Sequence, residues 1–186
     1  VGPEAFTEVK YMAHMKNQLA LEVIPKVARD FQKAFGRSSG GLVRGYKLDG
    51  ADTVVIALGS ILGTIKDVVD EMVAADIAIG VIGIIAFRPF PTDVVRTALS
   101  HAKRVIVLEK AFQVGIGGIV IENVRASLRG SSTKDYTVIA GLGGRPITKD
   151  SLRQYLNRAC VDGVEDLTFL DLDQELADSE ILREVW

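Results

Sequence analysis

Four apolar, β-rich runs, each followed by a short break and then a helical pattern, constrain this chain most. They are Thr53–Leu58 (TVVIAL), Ile77–Ala86, Arg104–Leu108 (RVIVL) and Tyr136–Ala140. Such runs are continuously apolar rather than alternating, as expected of strands covered on both faces. Gly80 and Gly83 weaken the second. Ser60 is placed to cap a helix over Ile61–Ala75, and Thr92 one reaching Ala102 after Pro89 and Pro91. The turn Gly115-Ile116-Gly117-Gly118 precedes a helix over Ile119–Leu128. Gly141-Leu142-Gly143-Gly144 precedes one capped by Thr148 and ending near Arg158. Strand-helix-strand alternation predicts a three-layer α/β/α fold with a mostly parallel sheet. Leu42–Leu48, mixing polar and apolar residues, is the edge strand that makes five. Leu167–Leu172 reads as a short strand or as an extended segment outside the sheet. Asp173–Val185 reads as an acidic terminal helix.

Ahead of this domain, Pro3–Phe35 reads as helix. Leu19, Val23, Val27, Phe31 and Phe35 recur every four residues and make one face. Pro25 should break or kink it. Gly36-Arg37-Ser38-Ser39-Gly40-Gly41 is the best boundary. The expected division is a helical arm and linker over residues 1–41 and a compact domain over 42–186. The chain opens Val1-Gly2-Pro3, with neither an initiator methionine nor a basic-then-apolar signal segment, so a fragment or excised domain is expected.

Composition excludes several function classes. With 22 basic and 24 acidic side chains, binding nucleic acid through charge is disfavoured. The single Cys160 rules out a disulfide framework, and two histidines (His14, His101) argue against a Cys/His zinc site. The longest apolar stretch, Ile77–Phe87, is about half the roughly 20 residues a membrane-spanning helix needs. Apolar residues make up 48% of the chain, an ordinary globular share.

In open α/β sheets, ligands bind beyond the carboxyl ends of the strands, so the candidate residues lie there. Gly59-Ser60-Ile61-Leu62-Gly63-Thr64 opens a helix, where backbone N–H groups favour anions. It lacks the glycine spacing of a dinucleotide fingerprint and the lysine of a P-loop. Turn and cap chemistry is the simpler reading of Gly59, Ser60 and Thr64, and a ligand or partner contact the sharper one. Gly141 to Arg145, with Gly143 and Arg145 foremost, is either a nest of N–H groups with an arginine clamp or a tight connection. Arg88, between Phe87 and Pro89, is expected to form a structural ion pair with Glu109 at the end of the next strand. No serine, cysteine or histidine has the partners of a nucleophilic triad. Cys160 reads as structural. The run Asp171, Asp173, Glu175, Asp178, Glu180 reads as a solvated helix face, without the mid-loop glycine of a calcium site. By the residues alone, no catalytic group and no metal ligand is assigned.

Taken in order, these motifs resemble a known family. The arm Pro3–Met12 is followed by Ala57-Leu58-Gly59-Ser60 with Gly63-Thr64, and then by Phe87-Arg88-Pro89-Phe90-Pro91. Next come Val107-Leu108-Glu109 and a glycine turn, and last Gly141-Leu142-Gly143-Gly144-Arg145 before the Thr148 helix. The set resembles the second domain of the alpha chain of pyruvate and related 2-oxoacid:ferredoxin oxidoreductases, over about Pro3–Arg158. That domain has the fold of the transketolase C-terminal domain. The resemblance implies a cytoplasmic parent enzyme that decarboxylates a 2-oxoacid on thiamine diphosphate. Electrons leave through iron–sulfur clusters to ferredoxin, and most members pass the acyl group to coenzyme A. It further implies that this domain holds none of these cofactors alone. It would pack against pyrimidine-binding, thiamine-diphosphate-binding and ferredoxin-like domains, in a homodimer or hetero-oligomer. Two positions depart from the family: Lys110 stands where arginine is frequent, and Ala111 where aspartate is common. No salt-bridge role is therefore carried over to that loop. A stand-alone anion- or nucleotide-binding module, or the C-terminal domain of a transketolase or a dehydrogenase beta chain, are the competing readings.

Overall fold

The structure, a computed structural model, describes residues 2–184. Two helices, α1 (Pro3–Gln18) and α2 (Ala20–Phe35), form the arm. The body then runs β1 (Val43–Tyr46), β2 (Thr53–Ala57), α3 (Ile61–Ala74), β3 (Ile79–Ile84), α4 (Thr92–Ala98) and β4 (Arg104–Glu109). A small hairpin follows, β5 (Phe112–Gln113) and β6 (Gly117–Gly118). After it come α5 (Val120–Ser127), β7 (Lys134–Ile139), α6 (Lys149–Ala159), β8 (Leu167–Phe169) and α7 (Gln174–Glu184).

The main sheet has six strands in the order β1-β3-β2-β4-β7-β8, all parallel except β1, which pairs antiparallel with β3. This corrects the expected five. Leu167–Phe169 is a true edge strand, because Thr137–Ile139 offer it a free parallel ladder in register. One face of the sheet, with Val55, Ile106, Leu108 and Val138, is covered by α3 and α6. The other, with Val54, Ile56, Val105 and Val107, is covered by α4 and α5. Both faces are therefore apolar, which is why the strands read as continuous runs. Each fully buried Val, Leu or Ile contributes roughly 1.5–3 kcal/mol. The steps β2→β3 and β7→β8 run in opposite directions across the sheet. Their helices α3 and α6 share one face, so the two crossovers have opposite hands.

Local expectations meet three corrections. Pro25 lies inside α2, which continues through it. The interruption falls at Leu19, just upstream of the Leu21 carbonyl that the proline ring crowds. Ser60 is helical (φ −65°, ψ −25°) rather than extended and makes no capping bond, since a cap needs β-region backbone to aim its oxygen back. Thr92 is itself the first helical residue, with Pro91 before it, so it caps nothing. Thr148 does cap: its Oγ1 accepts the Ser151 N–H at 3.1 Å. Gly80 does more than weaken β3. A side chain there would strike the Lys47 carbonyl, so the glycine lets the turn after β1 lie against β3. The terminal helix begins at Gln174, with Asp173 Oδ1 accepting the Leu176 N–H; Val185 lies outside the described residues. Leu19, Val23, Val27 and Phe35 do line the arm, but all are exposed, and neither α1 nor α2 buries a residue.

Candidate functional site

β2 and β4 are neighbours, and the helices that follow them leave over opposite faces of the sheet. Their carboxyl ends therefore part, which is the switch-point geometry where open sheets bind ligands. A cavity of about 440 Å³ opens there. Leu58, Gly59 and Ser60 form one wall, Phe87 another, and Leu108 to Ala111 with Ile119 the third.

Glu109 is the last residue of β4 and is only 4% exposed. Its Oε2 accepts the N–H groups of Ile119 (2.8 Å) and Val120 (2.7 Å), and its Oε1 that of Ile121 (3.1 Å). The carboxylate thus satisfies the orphan donors of α5 and sits at the positive end of its dipole. Bonds of this charge-assisted kind are among the stronger ones in proteins. Gly118 leaves the room: a side chain there would overlap Oε1. The carboxylate is therefore held in place by three backbone donors at the start of α5.

The expected Arg88–Glu109 ion pair does not form. The Arg88 guanidinium stacks on the Phe87 ring, 4.0 Å from its centroid. Its Nη1 donates to the Phe87 carbonyl (2.8 Å) and to Asn123 Oδ1 on α5 (3.1 Å). Glu109 is already compensated by three backbone donors, so burying an arginine beside it would gain little against the cost of desolvating the guanidinium.

Gly59 takes a left-handed conformation (φ 77°) at the cavity wall, with open space where a side chain would stand. The Ser60 side chain is exposed, and Thr64 is half-buried one turn into α3. At the end of β7, Gly141, Gly143 and Gly144 all have positive φ, around a short 3₁₀ turn at Leu142–Gly144. Arg145 Nη1 donates to the Asp171 carbonyl, so this arginine ties the loop to the segment after β8. The cavity therefore gathers Gly59, Ser60 and Glu109, while Arg88 does not line it and instead stacks on the Phe87 ring that does. Thr64, Gly143 and Arg145 are not part of its wall.

The sequence places Glu109-Lys110 and the following glycine turn among the four strand-end loops, but it gives no role to Lys110 itself or to the apolar tip of the hairpin. Lys110 lines the cavity, and its Cε crowds the space above Gly141. The hairpin tip projects Val114 (85% exposed) and Ile116 (63%) from the same rim. The usable signal was two branched apolar residues set in a glycine turn, where polar residues are the rule.

The other charged cluster lies at the opposite end of the sheet. Asp162 accepts from Arg104 Nε (2.6 Å), Lys134 Nζ (2.8 Å) and Tyr136 Oη (2.8 Å). Arg104 first, then Lys134 and Tyr136, hold its carboxyl well below the usual carboxylate range. Burial pushes the Cys160 thiol up, away from the reactive thiolate. Among the described residues, no three His, Cys, Asp or Glu side chains gather as a metal-ligating group. No described helix is long and apolar enough to cross a membrane.

Comparison with known proteins adds the following. The profile of the family "Pyruvate:ferredoxin oxidoreductase core domain II" matches residues 51–152. Pyruvate synthase subunit PorA of Methanosarcina barkeri is 36% identical over 184 residues, which cover 94% of this chain and 45% of that protein. The alpha subunit of NADH-dependent phenylglyoxylate dehydrogenase of Aromatoleum evansii is 35% identical over 150 residues, 79% of this chain and 36% of the other. The chain thus spans less than half the length of these relatives. A 2-oxoglutarate:ferredoxin oxidoreductase from Magnetococcus marinus matches in structure with a TM-score of 0.50 at 19% identity, over 70% of this chain and 21% of that one. That likeness bears on the fold.

Proposed function

Because the chain belongs to the family of pyruvate:ferredoxin oxidoreductase core domain II, we propose that it is a non-catalytic domain of the alpha subunit of a thiamine-diphosphate-dependent 2-oxoacid:ferredoxin oxidoreductase. Pyruvate is the first substrate to test, given the similarity to pyruvate synthase subunits. The observation that carries the non-catalytic reading is the state of Glu109. The one carboxylate lining the switch-point cavity is tied to the start of α5 by three backbone N–H groups, as a structural clamp, and no histidine or cysteine lines the cavity.

The cofactors of such an enzyme do not fit this chain. A magnesium-bound diphosphate needs oxygen ligands for the metal, and the cavity offers Lys110 beside a carboxylate already engaged. An iron–sulfur cluster needs about four cysteine thiolates, and the chain has Cys160 alone. Thiamine diphosphate and the clusters are therefore assigned to partner domains of the pyrimidine-binding, thiamine-diphosphate-binding and ferredoxin-like kinds, and coenzyme A is placed with them on the family resemblance alone. In this reading residues 1–41 are the arm toward those partners and 42–186 the wall they pack on, within a cytoplasmic hetero-oligomer or homodimer.

The test is reconstitution. The isolated chain, given pyruvate, thiamine diphosphate, magnesium, coenzyme A and a viologen dye, reduces no dye. Expressed with the remaining domains and subunits of its locus, it yields an enzyme that does. Phenylglyoxylate is assayed in parallel, given the similarity to a phenylglyoxylate dehydrogenase. Turnover by the isolated chain would overturn the proposal.

A further inference from the structure

We propose that the hairpin tip Val114-Gly115-Ile116 is a docking finger for a polypeptide segment outside residues 1–186 that carries carboxylates beside an apolar groove. The inference rests on the oxidoreductase reading only for the identity of the assembly in which the partner is found.

The first support is shape. Val114 and Ile116 are branched, apolar and among the most exposed side chains of the body. They stand on a convex tip, and small ligands occupy concave sites. A projecting apolar tip fits a groove on another polypeptide, as interface anchors do.

The second is rigidity. β5 and β6 pair across the turn, and the Ile116 N–H donates to the Gln113 carbonyl at 3.0 Å. At the base, Phe112 packs edge-on against Phe169 of β8, with ring centroids 5.1 Å apart. On the far side, Glu109 holds Ile119 and Val120. A finger anchored on both sides loses little freedom on docking.

The third is charge. The loops beyond β2, β3, β4 and β7 carry Arg88, Lys110 and Arg145 and no exposed carboxylate, on a chain that has more acidic than basic residues. Among the described residues none of the three joins a salt bridge. Exposed carboxylates at this end stand on the helices instead, and each of these is paired within its own helix: Asp93 with Arg96, Glu122 with Arg125 and Asp150 with Arg153. A second copy of this face would set cation against cation, so the complementary surface is acidic.

The experiment places the photo-crosslinking residue benzoylphenylalanine at position 114, and separately at the exposed Val161 near the other end of the sheet. Each variant is expressed with the remaining domains and subunits of the locus. Position 114 is expected to crosslink to a segment outside residues 1–186 that holds Asp or Glu among apolar residues, while position 161 does not. Lys110→Glu should abolish the crosslink, and reversing the contacted carboxylate to lysine should restore it. A crosslink to the hairpin of a second copy, to a segment without carboxylates, or no stronger than that from 161 overturns the proposal. Dye reduction by the unsubstituted complex scores the oxidoreductase reading separately. An inactive complex with the crosslink keeps the docking finger, and an active one without it removes the finger alone.

Discussion

Gly118 and the Glu109 carboxylate occupy one space: a methyl group on Gly118 would collide with Oε1. Ten residues of chain leave β4 and return, and the carboxylate at the start captures the backbone at the end. The strand, the hairpin and α5 are thereby fixed as one unit. Gly118→Ala should destabilise the protein by about 1–3 kcal/mol through overpacking. Glu109→Ala should cost more, about 3–5 kcal/mol, because buried N–H groups are left unpaired and each bond to a charged group is worth about 1.5–3 kcal/mol. In urea unfolding, the double variant should fall short of the sum, since the collision vanishes with the carboxylate. Additive effects would show that the two residues are not coupled.

Gly59 and Gly141 both adopt positive φ, but for separable reasons. Nothing stands where a Gly59 side chain would be, whereas at Gly141 it would meet Lys110 Cε at 2.9 Å and Ile147 Cδ1 at 3.1 Å. Gly59→Ala should cost the left-handed backbone penalty of about 1–2 kcal/mol. Gly141→Ala should cost that and a steric increment, part of which is relieved when Lys110 is shortened to alanine in the same chain, since the Ile147 contact remains. Thermal melts of the three variants check the ordering.

Asp162 makes stability depend on pH in a defined direction. Its folded-state carboxyl titrates below the ordinary 3.8. The stabilisation is therefore complete above that value and is lost as pH falls through the depressed one. Asp162→Asn should lower Tm at neutral pH, and the gap to the parent protein should close as the pH is taken below about 4. A gap that widens in acid would contradict the ion cluster of Arg104, Lys134 and Asp162.

The arm should behave unlike the body. No residue of α1 or α2 is buried, while β2 and β3 are buried throughout. Amide exchange in the isolated chain should be fast along 3–35 and slowest in β2, β3 and β4. Assembly with the partner domains should slow exchange in the arm without altering the central strands.

How much of this was legible depended on range. Thr53–Leu58 and Arg104–Leu108 announced buried parallel strands because both of their faces are apolar, and that pattern is local. The Glu109 clamp was not legible. It joins a strand end to a helix start through backbone donors, which carry no residue signature. The Arg88–Glu109 pair was a reasonable reading of two opposite charges at adjacent strand ends, and it failed because the backbone competed for the carboxylate. Ser60 looked like a cap by residue type, but capping depends on backbone angles that a serine does not dictate. The sixth strand was ambiguous because three residues at an edge owe their state to the ladder beside them. The family emerged from the order of weak loops, and the cavity from the direction in which two helices leave the sheet.

The central claim, that this chain completes an enzyme whose chemistry lies in other domains, is tested most directly by kcat of the assembled oxidoreductase carrying Ser60→Ala, Thr64→Val and Arg145→Ala together. Ser60 lies on the cavity wall, Thr64 one turn into α3, and Arg145 ties the loop after β7 to the segment after β8, so together they remove polar side chains from around the strand ends. The account predicts kcat within about threefold of the parent enzyme, against the roughly 10²–10⁴-fold loss that follows removal of a proton-transferring residue. A loss of that larger size in a complex that still assembles would place catalysis on this domain and contradict the account.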